Sequence, residues 1–136
     1  MTTTADIVSF IATDFPQCNS IIEATGNRGA TVRHKIGVDE LRPGGTVSGP
    51  VMMAVADIAL YAAILGEIGI VPLAVTTNLN INFLRKPSAD KDIVGVCKLI
   101  KIGKTLAIGD VYLYSDGDER PVAHAVGTYS IPPASG

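Results

Sequence analysis

The sequence is poor in charged residues and has no basic cluster. Charged residues make up 18% of its 136 residues, and the formal net charge is −2. Nucleic acids and anionic membranes attract patches of lysine and arginine, so this composition favours neither as a partner. The amino terminus, residues 1–6, lacks the basic stretch and apolar run that a signal peptide requires. We therefore expect a cytoplasmic protein that binds no nucleic acid and no membrane.

Cysteine and histidine are also scarce. Cys18 and Cys97 lie far apart, with no CxxC spacing, which is typical of two free thiols in a reducing compartment. His34 and His124 are isolated, and no His, Cys or Asp spacing indicates a metal site. We therefore expect neither a bound metal nor a separate cofactor.

Apolar residues, by contrast, are abundant at 47% of the chain. From Pro50 to Leu65 every residue is apolar except Asp57, and a helix that is apolar all round must be buried on nearly every side. The run is short for a membrane span, and a carboxylate at its middle argues further against one. We predict a central helix over about residues 49–66, with excess apolar surface buried between subunits. Asp57 is then a buried carboxylate that needs hydrogen-bond donors or a chemical role.

The other segments are shorter. An amphipathic helix is predicted within residues 1–16, strands at 20–25, 30–38, 73–84, 93–102, 106–114 and 121–131, and a tail at 132–136. In the strand 73–84, odd-numbered apolar positions alternate with Thr76 and three asparagines, which predicts a sheet with one face against the helix.

Four strands following the helix predict an antiparallel sheet in meander order. We therefore predict a single α+β domain over residues 1–136, in which the sheet curls around the long helix. This arrangement is the hot-dog fold.

Three stretches carry a family resemblance. Gly45–Pro50 reads G-T-V-S-G-P, and Asp57 follows Ser48 by nine residues. Residues 75–87 read V-T-T-N-L-N-I-N-F-L-R-K-P, and residues 103–107 precede a late strand at 122–129. Over residues 41–131 the chain resembles the PaaI-type hot-dog thioesterases of the acyl-coenzyme A (acyl-CoA) thioesterase superfamily. Their first motif commonly reads G-T-V-H-G-G, so Ser48 replaces its histidine and Pro50 its second glycine, while Arg42 replaces an asparagine often found six residues before that histidine.

The resemblance implies hydrolysis of an acyl-CoA thioester. The backbone N–H of Gly49 would stabilise the oxyanion, aided by the helix dipole. Asp57 would act as general base or as nucleophile, and Thr76 would hold the attacking water. Gly49 and Asp57 are eight residues apart, about 12 Å along a helix, so both can serve one carbonyl only if they come from different subunits. We therefore expect a homodimer, assembled further into a homotetramer.

Further site residues and alternatives follow from the same comparison. Ser48 is a catalytic candidate, although its position is more typical of a helix N-cap. Arg85 and Lys104 lie in loops where their charges could meet the phosphates of CoA. The full set of substrate-binding candidates is Arg42, Pro50, Asn78, Arg85, Lys104 and Thr105.

Two other functions stay open. The departures at Arg42, Ser48 and Pro50 are also consistent with a non-catalytic protein that binds or senses acyl-CoA. A hot-dog dehydratase would pair a histidine with the acid near the helix, where neither His34 nor His124 lies.

Overall fold

Residues 2–133, which a computed structural model describes, form two α-helices and eight strands. Residues 134–136, the end of the predicted tail, lie outside the described residues. The helices are α1 (Thr4–Asp14) and α2 (Gly49–Ile68); the strands are β1 (Ile21–Gly26), β2 (Gly29–His34), β3 (Leu41–Arg42), β4 (Thr46–Val47), β5 (Val75–Phe83), β6 (Ile93–Ile102), β7 (Leu106–Ser115) and β8 (Ala123–Ser130). The short pair β3 and β4 was not predicted.

Six strands form one antiparallel sheet in the order β1-β2-β6-β7-β8-β5, and α2 packs against it. The predicted α+β hot-dog fold is confirmed. The predicted meander order is wrong for β5, because β5 pairs with β8 at the far edge instead of with β6. Both edges of β6 are occupied by β2 and β7, which leaves β5 no place beside it.

The strand β2 is shorter than predicted. Asn27 and Arg28 both have positive φ (51° and 61°), as a tight two-residue hairpin requires, and β2 then ends at His34. The chain turns at Gly37, whose N–H donates to the Glu40 carboxylate at 2.7 Å. Val38, predicted as the last residue of this strand, is therefore 85% exposed.

A bulge interrupts the alternation predicted for β5. Thr76 pairs with Tyr129 and Asn78 with Thr128, so Thr77 is an extra residue without a partner. A bulge re-aims the side chains on either side of it. As a result Thr76 faces α2, although the uninterrupted pattern placed it on the opposite face with the asparagines. Of the apolar positions, Leu79 is half-buried, whereas Phe83 is 51% exposed.

The helix α2 sits in a depression made by glycines of the sheet. Gly109 on β7 pairs with Gly127 on β8, and Leu60 of α2 lies over both. A Cβ atom at Gly109 would lie 3.0 Å from a Leu60 methyl, and one at Gly127 would overlap Leu60. Leu60 is fully buried, so this contact holds α2 at a fixed height on the sheet.

One stripe of α2 is left uncovered. Pro50, Met53 and Ala54 are exposed and Asp57 is half-exposed, at the spacing of one helix face. The helix is long and apolar enough to cross a membrane, but 61% of its apolar window is buried within the described protein, as in a core helix. Within one chain, α2 is therefore covered everywhere except along this stripe, and Asp57 is not fully enclosed.

Both cysteines are free thiols, as predicted. Cys97 on β6 is 3% exposed. Burial, and secondly the nearby charge of Asp110, raises the pKa of the Cys97 thiol to about 12.

Candidate active site

Ser48 and Pro50 set the start of α2. Ser48 is the N-cap, with extended backbone (φ −71°, ψ 150°), and its hydroxyl accepts a hydrogen bond from the Val51 N–H at 3.4 Å. Proline suits the first helical turn because its missing N–H has no partner there. The first N–H groups of a helix lack intrahelical acceptors, so the Gly49 N–H is available to a ligand. The N-cap interpretation of Ser48 is confirmed.

Asp57, two turns further on, receives two hydroxyl donors. Its Oδ1 accepts from Thr76 Oγ1 at 2.6 Å and from the Tyr129 hydroxyl at 2.8 Å. The Tyr129 hydroxyl also lies 3.1 Å from the backbone carbonyl of Asp57. No hydrogen bond from residues 2–133 reaches the second carboxylate oxygen, Oδ2. One oxygen of Asp57 is thus anchored while the other is free to meet water or substrate.

Tyr129 is suited to remain the donor in this pair. It is 3% exposed, and burial, then the charge of Asp57, raises the pKa of its hydroxyl well above the ordinary value. The sequence analysis did not select Tyr129. On the inner face of β8 it follows Ala123, Ala125 and Gly127, and this single large residue after three small ones was the available signal.

A cleft of ≈ 630 Å³ opens beside Asp57. Its walls come from α2, the start of β5, the end of α1 and the connection from α1 to β1. Two predicted site residues, Asp57 and Thr76, line the cleft. Its other lining residues were not predicted for a site: Phe10, Asp14, Phe15, Gln17, Cys18, Asn19, Ser20, His34, Ala54, Ile58, Tyr61, Pro72, Ala74, Val75 and Tyr129. His34 is 8% exposed, and its Nδ1 is 3.1 Å from the Ser20 hydroxyl.

Gly49 lies in a different cleft, of ≈ 390 Å³, which shares no lining residue with the first. Phe83 forms one wall of it, and a Cβ atom at Gly49 would lie 3.3 Å from that ring. Arg42, Arg85 and Lys86 line the same cleft, and its lining contains no acidic residue. On one chain, Asp57 and Thr76 therefore lie in one cleft, and Gly49, Arg42 and Arg85 lie in a second, basic cleft.

The other substrate-binding candidates lie outside both clefts. Pro50 is on the uncovered stripe of α2, and Asn78 is exposed on the edge strand β5. Lys104 and Thr105 are exposed in the turn between β6 and β7, where the Thr105 carbonyl accepts from the Ile131 N–H at 2.8 Å. None of these four residues lines either cleft, although Pro50 follows Gly49 directly, and their roles stay predictions.

Among residues 2–133, no group of three or more His, Cys, Asp or Glu side chains is placed to hold a metal ion. The groups that the two clefts do offer are the Asp57 carboxylate, its two hydroxyl donors and the N-terminus of α2.

The sequence model of the thioesterase superfamily matches residues 44–122, a segment that includes Gly49, Asp57 and Thr76. The chain belongs to the thioesterase superfamily, as predicted. Thioester hydrolysis, in general terms, is the activity that this membership supports.

Solved structures agree with this assignment. A candidate thioesterase from Silicibacter sp. TM1040 is 43% identical, covers 98% of this chain and 94% of its own, and superposes with a TM-score of 0.90. The PaaI protein of the E. coli phenylacetic acid degradation operon shares the fold at 19% identity, with coverage of 93% and 97% and a TM-score of 0.77.

A hypothetical thioesterase from Streptococcus pneumoniae, in a structure with coenzyme A, is 21% identical. Coverage is 85% of this chain and 87% of that one, with a TM-score of 0.74. Among curated proteins, none matches the sequence.

Proposed function

We propose that the protein hydrolyses acyl-CoA thioesters at a site shared by two subunits. The observation that carries this proposal is the anchored carboxylate of Asp57, held by Thr76 and Tyr129 at the edge of a mostly aromatic and aliphatic cleft. Such a group can act on water. Because CoA is the substrate's own carrier, no further cofactor is needed.

In this mechanism Asp57 takes a proton from water, and the resulting hydroxide attacks the thioester carbonyl carbon. The N–H of the partner subunit's Gly49 stabilises the oxyanion, with the positive end of α2 behind it. Collapse of the tetrahedral intermediate breaks the C–S bond. The departing CoA thiolate takes the proton from Asp57, which leaves a carboxylic acid and a free thiol.

Direct attack by Asp57 would instead form an anhydride. Hydroxylamine would convert such an anhydride into a hydroxamate at Asp57, detectable by peptide mass spectrometry. We expect no hydroxamate, because general-base catalysis forms no acyl-enzyme.

A dimer would unite the two clefts. The uncovered stripe at Pro50, Met53, Ala54 and Asp57 offers an apolar surface for a second α2, and β5 has one edge without a neighbour among the described strands. With two α2 helices antiparallel, Gly49 of each chain approaches Asp57 of the other. A tetramer of two such dimers is our proposal for the full assembly. Equilibrium sedimentation tests it, and an active protein that stays monomeric would contradict it.

The basic cleft is suited to the CoA moiety. Arg42, Arg85 and Lys86 bring three positive charges without a lining acid, which complements the phosphates of CoA. The coenzyme A in the S. pneumoniae structure supports the choice of carrier. Two free thiols are typical of a protein in the reducing cytoplasm. Because acyl-CoA is also present there, we propose that the protein is cytoplasmic.

Complementation between two inactive variants tests the shared site. Asp57→Asn removes the base, and Gly49→Pro removes the N–H while Ser48 already has a backbone compatible with a following proline. Each variant alone should lack thiol release from acyl-CoA. After the two are unfolded together and refolded, a random mixture should regain about one quarter of wild-type activity, because half the dimers are mixed and each mixed dimer has one intact site.

Gly49→Ala is the matched control, since it keeps the N–H and adds only a methyl group near Phe83. It should retain most activity. If the mixture is shown to contain mixed dimers but regains no activity, the site is not shared between two chains.

Non-catalytic acyl-CoA binding is the second candidate, favoured by Ser48 acting as an N-cap where relatives carry histidine. Tight binding of acyl-CoA without thiol release, unchanged by Asp57→Asn, would establish it.

A further inference from the structure

An aromatic row runs from Asp57 towards α1. Tyr129, which donates to Asp57, stacks on Tyr61 with ring centroids 6.0 Å apart, and Tyr61 lies 6.4 Å from Phe10 of α1. The Tyr61 hydroxyl donates to the Pro72 carbonyl at 3.1 Å. Both tyrosine hydroxyls are therefore occupied, and the rings present apolar surface to the cleft. The acyl chain of a thioester whose carbonyl lies beside Asp57 would follow this surface towards α1.

A second cavity adjoins the cleft at Phe15. This groove of ≈ 380 Å³ lies between α1 and β1, and it shares three lining residues with the cleft, namely Phe15, Cys18 and Ser20. The rest of its lining is apolar: Val8, Ile11, Ala12, Pro16, Ile21 and Ile22. The three shared residues form a partition between two spaces that could each hold hydrocarbon.

Phe15 is the removable part of this partition. The Ser20 hydroxyl is engaged with His34, and the Cys18 thiol points to the Ser20 carbonyl at 3.8 Å. The Phe15 ring packs at the edge of the core, while its backbone is fixed independently, since its N–H donates to Ile11 O at 2.9 Å and its carbonyl accepts from the Cys18 N–H at 3.0 Å. Shortening the side chain would open the partition and leave the backbone in place.

We propose that the Phe15 ring is the end wall of the acyl pocket and limits the length of the acyl chain. This inference rests on the proposed function. The substrates are acyl-CoA thioesters whose chain ends before α1, and the groove beyond Phe15 stays unused in the wild-type protein.

The expected effect scales with the number of methylene groups admitted. Burying one methylene favours the bound state by a factor of about four at room temperature. In wild-type protein kcat/KM should rise with chain length and then stop rising or fall. In Phe15→Ala it should continue to rise by up to about fourfold per added methylene, until the groove is filled.

The experiment measures thiol release by wild type, Phe15→Ala and Phe15→Leu over a series of straight-chain acyl-CoA substrates of increasing length. Phe15→Leu keeps more of the core packing, so it should fold even if Phe15→Ala does not, and it should give a smaller shift. Val8→Asp is the matched control, because Val8 lines only the groove and is 44% exposed. Alone it should leave the profile unchanged; combined with Phe15→Ala it should cancel the gain for long chains.

A longer optimum in the Phe15 variants, removed by Val8→Asp, supports the proposal. If a folded Phe15 variant has the same preferred acyl-chain length as wild type, the proposal is overturned. Hydrolysis by the wild type would still support the proposed function in that case. If the wild type hydrolyses none of the series, the proposed function fails. In that case the dissociation constants of the same acyl-CoA compounds are measured instead. A shift of the tightest binding to longer chains in the Phe15 variants supports the role of Phe15, and no shift overturns it.

Discussion

Replacing Tyr129 by phenylalanine isolates the contribution of one hydroxyl to the Asp57 site. The ring can keep its stacking on Tyr61, whereas the donor 2.8 Å from Asp57 Oδ1 is lost. Thr76 then remains as the single hydroxyl donor to Oδ1 among the described residues. The carboxylate should rotate more freely, and its active oxygen should spend less time aimed at substrate.

Tyr61→Phe is a close internal control. Tyr61 is 7% exposed, lines the same cleft, and donates to the neutral Pro72 carbonyl at 3.1 Å. A hydrogen bond to a charged group contributes about 1.5–3 kcal/mol to stability, against about 0.5–1.5 kcal/mol for a neutral pair. Tyr129→Phe should therefore lower the unfolding free energy by about 1 kcal/mol more than Tyr61→Phe.

The kinetic effect should be larger than the difference in stability. Loss of orientation at a catalytic group by about 1 Å can lower the rate by up to about a hundredfold, so we expect kcat to fall by about tenfold or more in Tyr129→Phe, with little change in KM. Tyr61→Phe should stay within about twofold of wild type.

Urea unfolding at pH 7 and thiol release at saturating acyl-CoA measure the two quantities. Equal losses of stability and equal kcat values in the two variants would refute the view that Tyr129 supports the carboxylate of Asp57. If kcat falls strongly in Tyr61→Phe and not in Tyr129→Phe, the hydroxyl that matters for the reaction is that of Tyr61.

Three further predictions concern the rest of the fold. Gly127→Ala should lower the unfolding free energy by about 1–3 kcal/mol by overpacking against the buried Leu60, measured by denaturant titration. Ser48→Ala should cost about 1 kcal/mol through the lost N-cap and leave kcat within about threefold; a loss of hundredfold would assign Ser48 a chemical role. Because the folded-state pKa of Cys97 is raised, its contribution to stability is complete below the unfolded-state pKa of about 8.5 and is lost as pH rises towards about 12. Wild type should lose about 1.4 kcal/mol more than Cys97→Ala between pH 7 and pH 9.5, and parallel curves would contradict this.

The elements with strong local signals were predicted from the sequence. The start of α2 follows from Ser48 and Pro50 at its first turn, and its apolar run specifies a helix in the core. The strand β6 was predicted with its observed bounds, Ile93–Ile102, since alternation and flanking turns define it without reference to other strands.

Non-local pairing could not be predicted in the same way. Nothing within residues 75–83 states that β5 pairs with β8, because that choice depends on β2 already occupying the edge of β6. The extra residue Thr77 is likewise invisible to a period-two pattern, which therefore gave Thr76 the wrong face. The resemblance placed Thr76 near the acid, and the distance of 2.6 Å to Asp57 agrees with it.

Tyr129 illustrates a second limit. Its contact with Asp57 joins residues 72 positions apart, on an element that the superfamily match does not include. A single sequence gives the large side chain after three small ones on β8, but not the partner to which its hydroxyl points.

The contact of Leu60 with Gly109 and Gly127 links the position of Asp57 to the packing of the core. Leu60 follows Asp57 by three residues, about 4.5 Å along the same rigid helix, so whatever lifts Leu60 also lifts the carboxylate. The hydroxyls of Thr76 and Tyr129 belong to the sheet and would not follow. The paired glycines thus fix the distance between the Asp57 carboxylate and its two hydroxyl donors. Under the proposed function, the geometry of the catalytic site depends on atoms that no substrate touches.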